Sequence, residues 1–158
     1  RGQLHESLRQ DPRVVVRDRT NARSLSAEVV PEPCALAVMD VSFISVRLIL
    51  PALLSVLAPG AEAVVLVKPQ FEVGRGRLNR QGVVTRPVDR EASLLGVVAA
   101  VRECGLHVHG IRSSPISGTT GNVEYLLWAR SDPSYTMNEV RIRDVVREIT
   151  TVGTGGAR

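Results

Sequence analysis

The sequence of 158 residues contains few aromatic, cysteine and lysine residues. Aromatic residues make up 3% of the chain, which disfavours a sheet that stacks several nucleobases on exposed rings. The two cysteines, Cys34 and Cys104, exclude a small disulfide-dense fold. Their apolar neighbourhoods predict reduced, buried thiols in a cytoplasmic protein.

Long hydrophobic runs are also missing. The longest apolar stretch of helical length, residues 44–58, is interrupted by Arg47 and Pro51, whereas a membrane-spanning helix needs about 20 predominantly apolar residues. The chain opens with RGQLHE and so lacks the apolar segment of a secretory signal. The sequence therefore predicts no association with a membrane.

The overall composition is that of a globular domain. Hydrophobic residues make up 44% and charged residues 23%, and the mean hydropathy is +0.06. We expect residues 1–150 to form one domain, followed by a flexible tail over residues 151–158. The formal net charge of +4 is compatible with an anionic partner.

Lys68 is the one lysine among 20 cationic residues, and the other 19 are arginines. Codon usage that favours arginine explains this balance at the surface. Lysine nevertheless offers a property that arginine lacks, because the pKa of its compact ammonium group can fall on burial until it accepts a proton. Lys68 is therefore a candidate for proton-transfer chemistry.

Hydrophobic periodicity predicts strands that alternate with helices. The predicted strands cover residues 13–17, 35–39, 63–67, 106–111 and 123–129. The predicted helices cover residues 2–10, 45–57, 88–104 and 137–150, and residues 71–87 form a long loop. Since alternating strands and helices build right-handed βαβ units, this order predicts an α/β fold with a mostly parallel sheet. The last two strands follow each other without a helix, so one of them is expected to be antiparallel.

Three charged residues are predicted to lie at one edge of this sheet. Asp40 and Lys68 follow the second and third strands, both of which have the pattern of buried strands, and Glu124 lies near the start of the last strand. Ligands of open α/β sheets bind at the carboxyl ends of the strands, which Glu124 reaches if its strand is antiparallel. A lysine between two carboxylates in such a crevice is a candidate proton-transfer site. Alternatively, Asp40 caps the following helix, Lys68 extends to solvent and Glu124 is exposed.

The predicted loop after Lys68 is basic. It contains Arg75, Arg77 and Arg80, with glycines flanking Arg75. Mobile arginines beside a candidate site are suited to contacts with the phosphates of a nucleic acid. Charge that is simply solvated explains the same pattern nearly as well.

Other binding motifs are weak. His107 and His109 share one face of a predicted strand, but no third ligand lies nearby in the sequence, so we predict no metal site. The sequence also has no glycine loop of the Walker type for binding phosphate. The charged sheet edge and the basic loop are therefore the two candidate sites.

Several short motifs resemble a known family. They are DVSFIS at residues 40–45, LVKPQFEVG at 66–74, GVV at 82–84, SPISG at 114–118 and GNVEY at 121–125. Together with residues 11–14 and 19–23, they resemble the TlyA-type ribosomal RNA methyltransferases, which are related to FtsJ and are often called haemolysins. LVKPQFEVG is highly specific and the others are supportive, and the resemblance extends over about residues 2–130.

The resemblance implies a Rossmann-like, class I methyltransferase sheet and S-adenosylmethionine as cofactor. The implied reaction is 2′-O-methylation of ribose, with ribosomal RNA or ribosomal subunits as partners in the cytoplasm. The family uses a Lys-Asp-Lys-Glu tetrad, and Asp40, Lys68 and Glu124 match all but its first lysine. Lys68 would draw or accept the proton of the ribose 2′-hydroxyl, the carboxylates would orient Lys68, and the oxygen would attack the methyl group in line. The resemblance also implies that Asn21, near the adenine, and Asp40 bind the cofactor.

Other parts of the family pattern would precede Arg1 and are not in this sequence. They are the first lysine, the glycine-rich cofactor loop, the acidic residue that ends the second strand and the S4-type RNA-binding domain. We therefore expect the chain to be the carboxyl-terminal part of a longer protein, with a sheet that lacks its first two strands. By itself it should bind S-adenosylmethionine weakly and show little activity. Two alternative functions are a non-catalytic RNA- or ribosome-binding remnant and a membrane-lytic haemolysin.

Overall fold

A computed structural model describes residues 4–151 of the chain. Within this range the chain forms five α-helices and one four-stranded sheet. The helices are α1 (Glu6–Arg9), α2 (Leu50–Leu54), α3 (Pro69–Glu72), α4 (Pro87–Glu103) and α5 (Glu139–Thr151). The strands are β1 (Cys34–Met39), β2 (Leu57–Val67), β3 (His107–Ser113) and β4 (Tyr125–Arg130). Thr151 therefore belongs to α5, whereas the rest of the predicted tail, residues 152–158, and the start of the first predicted helix, residues 2–3, lie outside the described residues.

The strand directions agree with those predicted. The order in the sheet is β1-β2-β4-β3. β1 runs parallel to β2, and β4 runs antiparallel to both β2 and β3. Three strands thus point the same way and β4 points the opposite way, which confirms the one antiparallel strand. Because β4 lies between β2 and β3, only one of the three strand pairs is parallel, and the sheet is mixed. The sheet and its helices form a mixed α/β fold.

The hydrophobic core lies on one face of the sheet. Side chains alternate between the two faces of a strand, and on β2 the residues Ala63, Val65 and Val67 are fully buried. The same core includes buried residues of α2, α4 and α5, for example Leu50, Leu94 and Ile142. All three helices therefore pack against this single face.

The predicted helix over residues 88–104 is present as α4. Its first residue is Pro87, whose missing N–H group is not needed in the first turn of a helix. The helix ends before Gly105, which has a φ of +75°. This left-handed conformation suits a glycine, and Leu106 N donates to Val101 O at 3.1 Å to close the end of the helix.

The opposite face of the sheet is largely open. Leu36 and Val38 of β1 are 56% and 73% exposed, and Trp128 of β4 is 38% exposed. The prediction that residues 35–39 form a strand is confirmed, but the prediction that this strand is buried is wrong for this face. The physical reason is that the helices of residues 4–151 pack on the other face, and β1 lies at an edge with β2 as its paired neighbour.

The predicted strand over residues 13–17 is not formed. Val14 to Val16 have the side chains of a strand, but a strand also needs a neighbour for its backbone hydrogen bonds. Among the described residues, β1 pairs only with β2, so it provides no ladder for this segment. Val15 is accordingly 70% exposed.

Two other predicted elements are shorter than expected. The predicted helix over residues 45–57 is divided into a 3₁₀ turn, Val46–Leu48, and α2. Proline favours the first turn of a helix over its interior, so a new helix begins at Leu50, with Pro51 in its first turn, instead of continuing from the 3₁₀ turn. The predicted loop over residues 71–87 contains the end of α3 and a 3₁₀ turn, Arg75–Arg77.

None of the helices within residues 4–151 is long and apolar enough to cross a membrane.

Candidate active site

The strand register brings the three predicted charged residues to one edge of the sheet. Asp40 and Lys68 directly follow the parallel strands β1 and β2. Val67 is paired with Tyr125 in the antiparallel ladder between β2 and β4, so Lys68 and Glu124 are the next residues on these two strands. Because β4 runs antiparallel, its first residues reach the edge where β1 and β2 end.

Lys68 is held by two oxygen atoms from the loop after β1. Its Nζ atom lies 2.6 Å from Asp40 Oδ1 and donates to Ser42 Oγ at 3.2 Å. The side chain of Lys68 is 13% exposed, whereas that of Asp40 is 66% exposed. The alternative in which Lys68 extends into solvent is therefore wrong.

Asp40 does not serve as the cap of the following helical turn. That turn, Val46–Leu48, is capped by Ser45, whose hydroxyl oxygen accepts from Arg47 N at 3.2 Å. The carboxylate of Asp40 is thus used for Lys68. Since a charged partner shortens and strengthens a hydrogen bond, this contact fixes the direction of the ammonium group.

Glu124 is buried at the position next to Lys68 on the neighbouring strand, and 7% of the residue is exposed. The alternative in which Glu124 is exposed is therefore wrong. Gln70 Nε2 donates to Glu124 Oε1 at 3.4 Å. Gly118 approaches so closely that a Cβ atom there would lie 2.6 Å from the same oxygen. The carboxylate therefore has little freedom to move toward residue 118.

A cleft of about 340 Å³ opens beside these residues. Its volume is at the lower end of the range for small-molecule sites. The lining residues come from the loop after β1, from the end of β2 and α3, from the loop before α4 and from the loop before β4. They are Ser42, Phe43, Lys68, Gln70, Phe71, Leu78, Gln81, Gly82, Thr119, Thr120 and Glu124. Lys68 and Glu124 are the titratable side chains of this lining.

An aromatic pair lies at the same cleft. The ring centroids of Phe43 and Phe71 are 5.3 Å apart and the rings are tilted by 51°. Phe43 is 92% exposed and has a φ of +64°. A bulky residue in this left-handed region is strained, and such strain is concentrated at functional sites. The strained backbone therefore holds an aromatic ring in solvent next to Lys68.

Tyr125, the neighbour of Glu124, is not suited to act as a base. Burial raises the pKa of its hydroxyl, and the nearby Arg90 guanidinium acts in the opposite direction. The net result is a hydroxyl that stays protonated and uncharged at neutral pH. This leaves Lys68 and Glu124 as the candidates for proton transfer at this end of β4.

Glu72 is a buried residue at the site that we did not single out from the sequence. Its carboxylate accepts from Ser45 Oγ at 2.6 Å, from Val46 N at 2.8 Å and from Arg47 Nε at 3.0 Å. These bonds tie α3, which follows Lys68, to the segment that follows Asp40. The partners are separated by at least 25 residues in the sequence, so no local spacing indicates them.

Asn122 is a second residue whose role we did not predict. It is 1% exposed, and its amide bonds to residues of two different loops at the cleft. The GNVEY motif that contains it is visible in the sequence. Its bonding partners in the GVV motif, about 40 residues earlier in the sequence, are not.

The structure does not bring Asn21 to the cleft. Asn21 is exposed and caps the 3₁₀ turn Ala22–Ser24, because its Oδ1 atom accepts from Arg23 N at 3.1 Å. It is not among the residues that line the cleft. Its proposed role in cofactor binding has no support from these contacts.

The three predicted RNA-binding arginines differ in their surroundings. Arg75 and Arg80 are exposed. Arg77 Nη1 instead donates to Asp89 Oδ1 at 3.1 Å, and the Asp89 side chain is 5% exposed. Arg77 therefore also neutralises a buried carboxylate in the first turn of α4. Arg80 occupies a turn whose neighbours Gln81 and Gly82 line the cleft.

The two histidines of β3, His107 and His109, do not line the cleft. His109 Nε2 lies 3.0 Å from the carbonyl oxygen of Asp132, and its ring contacts Trp128 on the open face of the sheet. Within residues 4–151, no group of three or more His, Cys, Asp or Glu residues is arranged to hold a metal ion.

The fold and the site define an α/β protein with a crevice at the carboxyl ends of its parallel strands, where a lysine lies beside two acidic residues. The sequence matches the FtsJ-like methyltransferase family over residues 1–131. The chain therefore belongs to the FtsJ-like methyltransferase family.

Several curated proteins are similar to this chain. The 16S/23S rRNA (cytidine-2′-O)-methyltransferase TlyA of Mycobacterium tuberculosis is 45% identical over 152 residues, which are 96% of this chain and 57% of that protein. YqxC of Bacillus subtilis, provisionally named an rRNA methyltransferase, is 44% identical over 79% of this chain and 45% of its own length. Hemolysin A of Brachyspira hyodysenteriae is 36% identical over 78% of this chain and 52% of its own length. The chain thus spans about half the length of the curated relatives it matches.

Two solved structures have the same fold. A protein of Streptococcus thermophilus that is provisionally called a hemolysin has a TM-score of 0.83 and 38% identity over 94% of this chain and 55% of its own. A protein of Lactococcus lactis with the same provisional name has a TM-score of 0.82 and 34% identity over 92% of this chain and 71% of its own. These similarities extend the family assignment from the sequence to the arrangement of strands and helices.

Proposed function

We propose that the protein at its full length uses S-adenosylmethionine to methylate the 2′-hydroxyl of a ribose in ribosomal RNA. The observation that carries this proposal is the contact of 2.6 Å between Lys68 Nζ and Asp40 Oδ1 at the mouth of a cleft that Glu124 also lines. The M. tuberculosis and B. subtilis relatives, which are named as rRNA methyltransferases, support it. Ribosomal subunits in the cytoplasm are the proposed partners.

The described residues supply part of a site for S-adenosylmethionine. Asp40 is 66% exposed and contacts Lys68 through Oδ1, so its other carboxylate oxygen can face a positively charged ligand. Asn21 does not line the cleft and uses its oxygen for the turn, so only its amide N–H groups would be available for the proposed contact with adenine. When bound, S-adenosylmethionine supplies a methyl group on a positively charged sulfur.

Lys68 holds the ribose hydroxyl that is to be methylated. Two of its hydrogen-bonding positions are directed to Asp40 Oδ1 and Ser42 Oγ, which leaves one position for the 2′-oxygen. To accept the hydroxyl proton, Lys68 would act as a neutral amine whose two N–H groups donate to Asp40 Oδ1 and Ser42 Oγ and whose lone pair faces the 2′-hydroxyl. The oxygen would take the methyl group as the carbon–sulfur bond of the cofactor breaks, and the proton would remain on Lys68. Glu124 completes the polar wall of the cleft. This arrangement matches the general rule that a proton acceptor lies within hydrogen-bonding reach of its donor.

The rims of the cleft are suited to RNA. Phe43 and Phe71 offer ring faces on which an unstacked base can lie, a common mode of recognising single-stranded RNA. Arg75 and Arg80 are exposed for phosphate contacts, and Arg77 adds charge while it is bound to Asp89. The low aromatic content is no obstacle, because one pair of rings serves one base.

We also propose that the four strands belong to a larger Rossmann-like sheet whose first two strands lie outside this chain. The support is the edge strand β1, which among the described residues pairs only with β2 and so can pair with a further strand on its other side. Leu36 and Val38 of this strand are 56% and 73% exposed on the open face of the sheet. Apolar side chains in such numbers on one face are usually covered by a further layer. Strands added beside β1 would also give the 13–17 segment a strand to pair with.

The test is methyl transfer from labelled S-adenosylmethionine to ribosomal subunits, followed by digestion of the RNA to nucleosides and mass spectrometry. We expect the label in a 2′-O-methylated nucleoside. Label on a base would contradict the proposed reaction. Tight RNA binding without transfer would favour the non-catalytic alternative, and leakage of lipid vesicles without transfer would favour the membrane-lytic alternative.

A further inference from the structure

Asn122 joins three motifs that are separate in the sequence. Its Oδ1 atom accepts from Val84 N at 2.9 Å, and its Nδ2 atom donates to Gly82 O at 3.0 Å. These two residues belong to the GVV motif. The carbonyl oxygen of Asn122 accepts from Gly118 N at 2.9 Å, at the end of the SPISG motif. One buried asparagine thus connects GVV, SPISG and its own GNVEY motif.

The first loop that Asn122 holds is the turn that carries Arg80. Gly82 N donates to Asn79 O at 3.0 Å, which closes a turn over residues 79–82 with Arg80 inside it. The side chain of Asn79 strengthens the turn by accepting from the N–H groups of Gln81 and Val83. Because Asn122 binds Gly82 directly, it fixes where this turn stands relative to the cleft.

The second loop that Asn122 holds is the one that ends at Glu124. Asn122 Nδ2 also donates to Thr120 Oγ1 at 3.0 Å, and Gly121 N donates to Gly118 O at 2.7 Å within the same loop. Glu124 follows two residues later and lies against Gly118. The side chain of Asn122 therefore connects the turn that carries Arg80 to the loop that ends at Glu124.

We propose that Asn122 is a positioning residue that couples RNA binding at Arg80 to the placement of Glu124. This inference rests on the proposed function, because it assigns Arg80 to RNA and Glu124 to methyl transfer. When RNA binds the Arg80 turn, the turn stays fixed to the loop of Glu124, so the ribose enters the cleft with the carboxylate already in place. Residues that share one hydrogen-bond network typically show coupled effects when they are substituted together.

The test is a double-mutant cycle with Asn122→Ala and Arg80→Ala in the full-length protein, using ribosomal RNA as the probe. In the wild-type background, Arg80→Ala should reduce the slope of log affinity against log salt by about 0.9 for one lost phosphate contact. In the Asn122→Ala background, the same substitution should have a smaller effect, with a coupling of about twofold or more. Asn122→Ala should also lower the methylation rate at saturating RNA and cofactor.

The matched control is Asn138→Ala. Asn138 Oδ1 also accepts from a backbone N–H, that of Arg141 at 2.8 Å, but it lies at the start of α5 and does not line the cleft. In this background the loss caused by Arg80→Ala should be unchanged, although loss of the helix cap destabilises the protein by about 0.5–2 kcal/mol. This control separates coupling at the cleft from a general loss of stability.

Each outcome has a definite consequence. Equal effects of Arg80→Ala in the wild-type and Asn122→Ala backgrounds would overturn the coupling while leaving the proposed function intact. No effect of Arg80→Ala in the wild type would overturn both the coupling and the assignment of Arg80 to RNA. If Asn122→Ala does not fold, Thr120→Val removes one of the same hydrogen bonds and should give coupling of the same sign but smaller size.

Discussion

Substitution of Gly118 by alanine should impair methyl transfer without unfolding the protein. The added Cβ atom would meet Glu124 Oε1 at 2.6 Å and Glu124 Cδ at 3.3 Å. Since these atoms form the far end of a flexible side chain, the carboxylate will move and the backbone will not. The contact between Gln70 Nε2 and Glu124 Oε1, now 3.4 Å, will be lost.

The expected change in the free energy of unfolding is small. A non-native rotamer of Glu124 costs about 0.5–1.5 kcal/mol. Replacement of glycine by alanine offsets about 0.4–1 kcal/mol of this cost through the unfolded chain. The net change is within about 1 kcal/mol, which shifts the melting temperature by about 4 °C or less for a domain of this size. A displacement of about 1 Å at a reacting centre, in contrast, can lower a rate about a hundredfold.

The assay compares the melting temperature and the single-turnover methylation rate of Gly118→Ala with those of a matched variant, Gly96→Ala. A Cβ atom at Gly96 has ordinary van der Waals space, with Arg47 Nη1 as its neighbour at 3.6 Å. Gly96 also lies inside α4, where alanine is favoured by about 1 kcal/mol. We expect Gly96→Ala to keep the rate and Gly118→Ala to lose it. An unchanged rate in Gly118→Ala would refute the argument that Glu124 must hold its position.

Two further predictions concern charges around the site. Arg75→Glu should weaken RNA binding and reduce its salt dependence by at least about one phosphate contact, whereas the control Arg141→Glu on α5 should do neither. Titration of RNA affinity against salt checks this, with cofactor affinity measured separately. Glu72→Gln should lower the free energy of unfolding by about 1–3 kcal/mol, because a buried acceptor of three hydrogen bonds loses part of that role. Glu62→Gln, at a half-exposed ion pair, should cost less than about 1 kcal/mol in the same urea denaturation experiment.

The sheet and the three charged residues could be predicted because their signals are local. The continuous apolar run at residues 63–67 indicates a buried strand, and Lys68 follows it directly. The absence of a helix before residues 123–129 indicates an antiparallel strand, which is what carries Glu124 to the edge. The rule that ligands bind at the carboxyl ends of strands then needs no knowledge of side-chain contacts.

Features that depend on distant partners could not be predicted. Val14 to Val16 have strand propensity, but pairing requires a neighbouring strand. The exposure of Val38 depends on which face the helices cover. The hydrogen bonds of Glu72 and Asn122 join segments that are 25 to 40 residues apart, so no sequence period reveals them.

Arg77 shows the same limit for surface charge. In the sequence it is one of three similar arginines in a basic loop. In the structure all three are exposed, and the guanidinium of Arg77 is also bound to the buried carboxylate of Asp89. Which cation is structural depends on where the first turn of α4 places Asp89.

Single-turnover methylation of ribosomal RNA by Lys68→Arg tests the central claim most directly. Arginine keeps the positive charge and its contact with Asp40, but it stays protonated at any relevant pH and its planar guanidinium replaces a compact ammonium. We predict an intact fold, unchanged cofactor binding and a loss of rate of about a hundredfold or more, the scale of general acid–base assistance. A rate within about threefold of the wild type would show that Lys68 is structural and would contradict the proposed role of this site in proton transfer.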